Sequence, residues 1–295
     1  NTADAKVILS AQYNAFSPDG NGVKDTISFT PKLIDAGDLA DYSFNIIDSG
    51  GTPVYSVNGS GKLPASFQWN GKNASDGRIV EGAYTASLKL STISGSTATA
   101  STSPFVLDVT APKLSASAPY TAFSPDGDGN QDVLRVNISD CSREDLWKAE
   151  VKDSSGKTVK MFTWKDFVRT DGKDGFDWNG SDESGNKAKD GIYSLVISSE
   201  DEAGNKFSTS IANINLDGRE TKAYVTAELD GISPNGDRYL EAQTFTIRAT
   251  VEDGIQSWNF DVRGEDGKAV RSWSGGDGTN LPASIVWDGL DSFGK

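Results

Sequence analysis

Short segments of alternating apolar and polar residues recur along the whole chain. Ile27 and Phe29 alternate with polar neighbours, as do Leu134, Val136 and Ile138. Because successive side chains of a strand point to opposite faces of a sheet, this period of two predicts strands with one buried face. Turns rich in glycine, asparagine and aspartate separate the segments at short intervals. The pattern is typical of an antiparallel β-sandwich.

One predicted hairpin occurs three times with the same spacing. Its first strand carries apolar residues at alternate positions, namely Tyr42, Phe44 and Ile46; Trp147, Ala149 and Val151; and Trp258, Phe260 and Val262. A glycine-containing turn follows each set, and a second strand then carries Val54, Val159 or Val270. A helical turn is expected only at 142–146.

Two phrases mark the same internal repeat. The first is Phe16-Ser-Pro-Asp-Gly-Asn-Gly-Val-Lys-Asp25, repeated in altered form at 123–132 and 232–241. The second is Trp69-Asn-Gly71, which returns as Trp178-Asn-Gly180 and Trp287-Asp-Gly289, each 109 residues after the last. Two markers at one period predict tandem domains. We assign repeat 1 to 1–110, repeat 2 to 111–217 and a truncated repeat 3 to 218–295, joined by short linkers into an elongated array.

The composition excludes several classes of function. With 28 basic and 42 acidic residues the net charge is −14, which disfavours nucleic acid as a partner. The chain has no histidine, which removes the commonest general base and the Ser/His and Cys/His nucleophile pairs. Its single cysteine, Cys141, permits no internal disulfide. No apolar run is long enough to span a membrane, and we expect any export signal to lie outside this fragment.

The acidic loops of the first phrase are candidate metal sites. Oxygen-bearing side chains stand at alternate positions in each loop: Asp126, Asp128, Asn130 and Asp132 in repeat 2; Asp19, Asn21 and Asp25 in repeat 1; and Asn235, Asp237 and Glu241 in repeat 3. Ca²⁺ requires six to eight such oxygens, so we expect Ca²⁺ binding that weakens from repeat 2 to repeat 1 to repeat 3. The alternative is that these residues only form turns through bonds to the local backbone.

Two tryptophans are candidates for ligand binding. Trp164 and Trp273 lie in less regular stretches, without a counterpart in repeat 1. If exposed, their rings would stack on a sugar or contact a partner protein, whereas core packing is the favoured alternative. By contrast, Trp69, Trp178 and Trp287 recur at one strand end and are expected to be core or half-buried packing residues.

The chain resembles bacterial immunoglobulin-like repeats related to the carboxy-terminal domain of the flagellar hook-capping protein. It also resembles surface modules with a Phe-Ser-Pro-Asn/Asp-Gly-Asp-Gly signature. The matching elements are Phe123 to Asp132, Trp178-Asn-Gly-Ser-Asp-Glu-Ser-Gly185 and Asp190-Gly-Ile-Tyr193. The resemblance implies all-β, tandem immunoglobulin-like or fibronectin III-like antiparallel β-sandwiches, and a non-catalytic, extracytoplasmic module of a bacterial surface or secreted protein.

Three functions compete on this evidence. The leading hypothesis is a structural or spacer module, stabilised by Ca²⁺ in the acidic loops, whose partners are other domains of the same longer chain. The alternative is an adhesin or carbohydrate-binding module that uses exposed aromatic residues to bind protein or glycan at the cell surface. An enzyme with paired carboxylates is disfavoured, because a catalytic pair is not expected in every repeat.

Overall fold

The computed structural model describes residues 5–34, 38–165, 175–276 and 280–295. Within these ranges every regular element is a β-strand. The helical turn expected at 142–146 is therefore wrong. The Ser142 hydroxyl instead donates to the Glu144 carboxylate, and the Ser142 carbonyl accepts the Trp147 indole N–H at 3.2 Å. Across the described ranges, no helix has the length and hydropathy needed to cross a membrane.

The chain packs into two compact units. One unit contains Asn1–Ala122 and Val133–Asn215, and the other contains Phe123–Asp132 and Leu216–Lys295. Every strand pairing described lies inside one of three stretches, 6–107, 115–216 and 223–287. The boundaries that the sequence assigns to the three repeats stay a prediction.

Repeat 1 contains two facing sheets. Its strands are β1 (Lys6–Ala11), β2 (Ala15–Phe16), β3 (Ile27–Ile34), β4 (Leu39–Asp48), β5 (Pro53–Ser60), β6 (Phe67–Trp69), β7 (Gly82–Thr92), β8 (Thr97–Ser101) and β9 (Phe105–Leu107). One sheet has the order β1-β3-β6, and the other has the order β2-β9-β7-β4-β5, with β8 also paired to β7. All these pairs are antiparallel except β2 with β9.

Repeat 2 follows the same plan. Its strands are β10 (Ser115–Ser117), β11 (Ala122–Phe123), β12 (Leu134–Ser139), β13 (Trp147–Lys152), β14 (Thr158–Trp164), β15 (Gly175–Trp178), β16 (Gly191–Glu200) and β17 (Lys206–Leu216). The two sheets have the orders β10-β12-β15 and β11-β17-β16-β13-β14.

Repeat 3 contains fewer strands. They are β18 (Ala223–Ala227), β19 (Gln243–Ala249), β20 (Trp258–Arg263), β21 (Ala269–Gly275) and β22 (Ser284–Trp287). The sheet β18-β19-β22 matches β1-β3-β6 of repeat 1, whereas the second sheet consists of β20 and β21 among the residues that the structure describes.

Aromatic side chains fill the space between the two sheets of each repeat. In repeat 1 the rings of Phe29 on β3 and Phe44 on β4 are 5.4 Å apart, and neither side chain is exposed. In repeat 2 the rings of Phe176 and Phe162 are 4.5 Å apart across the sheets. These residues belong to the alternating segments of the sequence, so the predicted all-β sandwich fold is confirmed.

Candidate metal loops and the joint between repeats 1 and 2

The two recurring phrases of the sequence contact each other in space. In repeat 1, Gly71 of the Trp-Asn-Gly turn has a φ of +79°, and a Cβ atom added to it would lie 2.6 Å from the Pro18 side chain. Repeat 3 has the same contact, between Gly289 and Pro234, at 2.7 Å. Glycine is therefore required twice over, for its backbone conformation and for the close approach of proline.

The tryptophan of the second phrase closes its own turn by a hydrogen bond. The indole N–H donates to the backbone carbonyl three residues later in every repeat, from Trp69 to Lys72, from Trp178 to Ser181 and from Trp287 to Leu290, at 2.8–2.9 Å. Trp69 and Trp178 are buried, as expected, and each contacts a tyrosine ring about 5 Å away. Trp287 is only half-buried.

The acidic loops share one backbone conformation. We number the loop positions from Asp19, Asp126 and Asn235, which are the first positions of the three loops. The second, fourth and sixth positions have a left-handed backbone in all three loops: Gly20, Gly22 and Lys24; Gly127, Gly129 and Gln131; and Gly236, Arg238 and Leu240. Alternation of right- and left-handed residues turns successive backbone N–H groups into a concavity that binds an anion. Here the anion is the loop's own last carboxylate. The two carboxylate oxygens of Asp132 accept the N–H groups of Gly127 and Gly129, at 2.7 and 2.9 Å.

The first and third positions of each loop cap the backbone too. Asp126 Oδ1 accepts the Asp128 N–H at 3.1 Å, and Asp128 Oδ1 accepts the Asn130 N–H at 2.7 Å. Loops 1 and 3 repeat these two bonds through Asp19 and Asn21, and through Asn235 and Asp237. The turn-forming role that the sequence analysis gave as its alternative is thus present in every copy.

Only the loop of repeat 2 brings three carboxylates together among the described residues. Asp126, Asp128 and Asp132 each place one oxygen within 4.8 Å of the others. In repeat 1 the third position is an amide, Asn21, and the fifth is Val23. The donor chemistry of loop 2 fits a hard divalent cation with water completing its coordination, although Asp132 also serves the backbone. The predicted ligand Asn130 donates its backbone N–H to the Asp128 carboxylate. Ca²⁺ binding stays a prediction for all three loops.

The two candidate tryptophans lie in regular strands and contact aromatic rings of their own repeats. Trp164, on β14, pairs with Trp147 of β13, and their nearly parallel rings are 6.4 Å apart. Trp273, on β21, pairs with Phe260 of β20 at 5.7 Å. Both tryptophans are half-buried. Their role in binding a glycan or protein stays a prediction.

Strand register corrects the view that these tryptophans have no counterpart in repeat 1. In repeat 1 the position equivalent to Trp164 is Gly59, which lies opposite Tyr42. In repeat 3 it is Gly275, which lies opposite Trp258. At both glycines the facing aromatic ring occupies the space that a side chain would need. Trp273 corresponds instead to Val57, opposite Phe44. The two tryptophans are therefore not equivalent to each other.

Repeats 1 and 2 contact each other at a joint, which we define as the turn Asp201–Asn205 of repeat 2 and the repeat 1 residues that contact it. The Asn205 side chain is only 2% exposed, and its Nδ2 donates to the Asp108 carbonyl at 3.0 Å. Lys24 Nζ donates to the Glu202 carbonyl at 2.6 Å. Asn14 Nδ2 donates to the Glu202 carboxylate at 3.2 Å.

The shape of the turn makes these contacts possible. Asp201 Oδ1 accepts the Asn205 N–H, and Asp201 Oδ2 accepts the Asn205 amide at 2.8 Å. Gly204 has a φ of +96°, and a Cβ atom there would lie 3.1 Å from Val23. A left-handed glycine therefore lets this turn approach the loop of repeat 1 closely.

One carboxyl group next to the joint, that of Asp108, has a raised pKa. Burial, followed by the negative charges of Asp201 and Glu81, raises the pKa of Asp108 above the ordinary aspartate value. Hydrogen bonds from the Thr110 hydroxyl and the Val109 N–H lower the pKa of Glu81. Ionisation of Asp108 is therefore less favourable than that of an ordinary aspartate, whereas ionisation of Glu81 is more favourable than that of an ordinary glutamate.

The sequence analysis missed these joint residues. The corresponding turn of repeat 1 is Thr92–Ser96. The Thr92 N–H donates to the Ser96 carbonyl there, as the Asp201 N–H donates to the Asn205 carbonyl in repeat 2. The turn of repeat 1 contains no carboxylate, and its Ile93 is 74% exposed. The change from Thr-Ile-Ser-Gly-Ser to Asp-Glu-Ala-Gly-Asn was the one available signal, but it does not identify a partner 97 residues away.

Comparison with known proteins supports the immunoglobulin-like assignment of repeat 2. Residues 126–203 match the family model of the FlgD Ig-like domain, which confirms the resemblance drawn from the sequence for this stretch. No curated protein matches the chain.

Several solved structures share its general β-architecture at low similarity. A tetra-tandem repeat in the extending region of a large adhesion protein aligns with 97% of this chain and 66% of its own, at 18% identity and a TM-score of 0.30. Fibronectin(III)-like modules of Clostridium thermocellum CbhA align with 70% of this chain and 92% of their own, at 13% identity and a TM-score of 0.39. A 1.5-MDa bacterial ice-binding adhesin aligns with 98% of this chain and 88% of its own, at 14% identity and a TM-score of 0.32. This chain thus spans just under two thirds of the first structure, and similarity at this level carries no argument about function.

The two backbone hydrogen bonds to the Asp132 carboxylate lead to a first prediction. Asp132→Ala removes the acceptor of two backbone N–H groups, so we expect a loss of about 1–2 kcal/mol of loop stability without any added metal. Hydrogen exchange at Gly127 and Gly129 should accelerate by about tenfold or more. Asp25→Ala in repeat 1 is the matched variant and should behave alike at Gly20 and Gly22. Unchanged exchange in both variants would show that the carboxylate does not organise the loop.

The joint makes a second prediction, about pH. Because the folded-state pKa of Asp108 is raised, its stabilising contribution is complete at low pH and is lost as the pH rises through that value. Asp108→Asn lacks this loss, so its melting temperature should exceed that of the wild type by an amount that grows as the pH rises through the folded-state pKa of Asp108, reaching about 1–3 °C at most for this partly exposed group.

Glu81→Gln is the control of opposite sign. The pKa of Glu81 is lowered, so the stability that its charge contributes is present at neutral pH and is lost on acidification. This variant should therefore be less stable than the wild type at pH 7. A pH-independent difference for Asp108→Asn would contradict the proposed repulsion at the joint.

Proposed function

We propose that the chain is a non-catalytic spacer module of a large bacterial surface or secreted protein, in which repeats 1 and 2 act as one stiff piece. The observation that carries this proposal is the joint, where the buried Asn205 bonds to Asp108 and the Lys24 ammonium bonds to Glu202. Flexibly tethered domains share few such contacts, whereas a spacer that transmits force or holds a distance requires them.

Further features support the same function. The match of residues 126–203 to an Ig-like domain of a flagellar protein favours a role outside the cytoplasm, with other domains of a longer chain as partners. The absence of histidine and the net charge of −14 disfavour catalysis and nucleic-acid binding. The turns that contain the acidic residues use them to bond backbone N–H groups, which is a structural task.

Calcium in the loop of repeat 2 is a second part of the proposal. Three carboxylates within 4.8 Å repel one another, and a bound Ca²⁺ would cancel that repulsion. Only a few protein oxygens are available there, so the affinity belongs in the submillimolar to millimolar range typical of extracellular modules. An ion at this loop stabilises the folded chain in proportion to ln(1 + [Ca²⁺]/Kd).

Unfolding experiments test the stiff joint. The wild-type chain should unfold repeats 1 and 2 in one cooperative transition, because opening the joint exposes the buried turn. Asn205→Ala should separate this into two transitions, since it removes both side-chain bonds of the buried amide. Asn186→Ala, at an exposed side chain of the same repeat, is the control and should leave a single transition. Two independent transitions in the wild type would refute the stiff piece.

A pair of reciprocal substitutions tests the calcium part. Asp128→Asn keeps an oxygen to accept the Asn130 N–H but removes the third charge, which makes the loop resemble that of repeat 1. At a Ca²⁺ concentration about ten times Kd, the wild type should gain about 1.4 kcal/mol, or roughly 5–10 °C in the melting of the unit that contains the loop. Asp128→Asn should lose that gain.

Asn21→Asp is the reciprocal variant. It introduces a third carboxylate in the loop of repeat 1 and should confer a Ca²⁺-dependent shift on the other unit. Calorimetry with Ca²⁺ and with a chelator measures both effects. A wild type that is indifferent to Ca²⁺ would remove the metal from the proposal and leave the spacer role standing.

A further inference from the structure

Two buried side-chain oxygens have no hydrogen-bond partner among the described residues. One is Asn205 Oδ1 at the joint, and the other is Ser17 Oγ in the Ser-Pro turn of repeat 1. Asn205 is 2% exposed, and Ser17 is not exposed at all. Buried polar atoms in native proteins are almost always paired, so an unpaired oxygen of this kind points to a bound water or ion.

Both unpaired oxygens belong to neighbours of one residue, Asp108. The Asp108 carbonyl accepts Asn205 Nδ2 at 3.0 Å, and the Asp108 N–H donates to the Phe16 carbonyl at 3.1 Å. The strands β2 and β9 are parallel and pair Phe16 with Leu107. The residues that follow these two, Ser17 and Asp108, therefore lie side by side.

The burial of Ser17 is particular to repeat 1. The Phe16 ring packs against Trp69 in the core, so the next side chain, that of Ser17, points away from the core. The equivalent serine of repeat 2, Ser124, is half-buried, and that of repeat 3, Ser233, is exposed. Ser17 is therefore covered by a feature that the other two serines lack.

The contacts of the turn Asp201–Asn205 identify this turn as the cover. The Ser17 N–H donates to the Lys24 carbonyl at 3.1 Å, and a Cβ atom added to Gly204 would lie 3.7 Å from the Lys24 side chain. Asn205 Oδ1 is bonded to the same carbon as Nδ2, which donates to repeat 1. Both unpaired oxygens thus lie where this turn meets repeat 1.

Two carboxylates border the same region. Asp108 and Asp201 are half-buried. Burial and then the charge of Asp201 raise the pKa of Asp108, so the two groups are close enough to repel each other. The Lys24 ammonium is engaged elsewhere, because it donates to the Glu202 carbonyl and lies 5.2 Å from the centre of the Tyr13 ring.

We propose that the joint binds one Ca²⁺ ion, whose protein ligands are Ser17 Oγ, Asn205 Oδ1 and the carboxylates of Asp108 and Asp201, with water completing the coordination. All four groups offer oxygen, the ligand that this hard cation takes. The ion pairs both buried oxygens and balances the two negative charges. This site shares no residue with the loop of repeat 2. It rests on the joint of the proposed function and adds that a metal ion locks the joint.

Hydrogen exchange at the turn tests this proposal on the full chain. The chain contains Asp128→Asn, so that the loop of repeat 2 does not contribute. The readout is the exchange of the Gly204 and Asn205 backbone N–H groups, both of which bond to Asp201. At a Ca²⁺ concentration about ten times Kd, we expect exchange about tenfold slower than in a chelator, because opening the joint must release the ion.

Two variants separate the ion from a bound water. Ser17→Ala removes one ligand but no hydrogen bond within the protein, so its melting temperature in chelator should not fall, whereas the Ca²⁺ effect on exchange should be lost. Asp108→Asn keeps the carbonyl that accepts Asn205 Nδ2 and should require at least about tenfold more Ca²⁺ for the same slowing. Ser233→Ala, at the exposed equivalent serine, is the matched control and should retain the full effect.

Exchange at the turn that does not respond to Ca²⁺ would overturn the proposal, because a bound water would then serve the two oxygens. An equal response in Ser17→Ala and in its parent chain would overturn it too, since the ion would then lie elsewhere. Either result leaves the stiff joint standing. Two independent unfolding transitions, by contrast, would refute the stiff piece without changing the local protection that Ca²⁺ gives to this turn.

Discussion

The close packing of a proline on a glycine organises the acidic-loop end of repeats 1 and 3. The Ser-Pro turn that opens the acidic loop approaches the Trp-Asn/Asp-Gly turn so closely that only hydrogen fits between the backbone and the ring, as at Pro18 and Gly71. The same two turns contribute Phe16 and Trp69 to the core, with their rings 5.5 Å apart. One steric constraint therefore fixes the position of the loop relative to both sheets, and the position of the loop in turn sets where its acidic side chains lie.

Much of the fold follows from local pattern, and the loops follow from local chemistry. Alternation of apolar residues located the paired strands, and glycine at alternate loop positions, as at Gly127 and Gly129, indicated the tight turn. Side chains such as Asp182 accept hydrogen bonds from backbone N–H groups only two and four residues away. Interactions of this range are encoded within a few residues of sequence, which is why they were predictable.

The remainder depended on contacts distant in sequence. Trp164 and Trp273 looked alike in the sequence, but the partner strand decides their positions, opposite Trp147 and Phe260 respectively. The joint depends on a hydrogen bond from Asn205 to a backbone carbonyl, and the sequence of the turn does not identify that partner. The expected helical turn failed because Ser142 bonds to Glu144 and to the Trp147 indole outside any helix.

The self-contained hydrogen bonding of the acidic loops has a consequence for how such arrays diverge. Asparagine and aspartate supply the same acceptor oxygen to the backbone, so the loop keeps its shape whether its third position is Asn21 or Asp128. Charge and shape are thereby uncoupled. After duplication, a copy is free to change the charge of this loop by a single amide-to-acid exchange without losing the loop's shape, and neighbouring copies in one polypeptide are able to diverge separately.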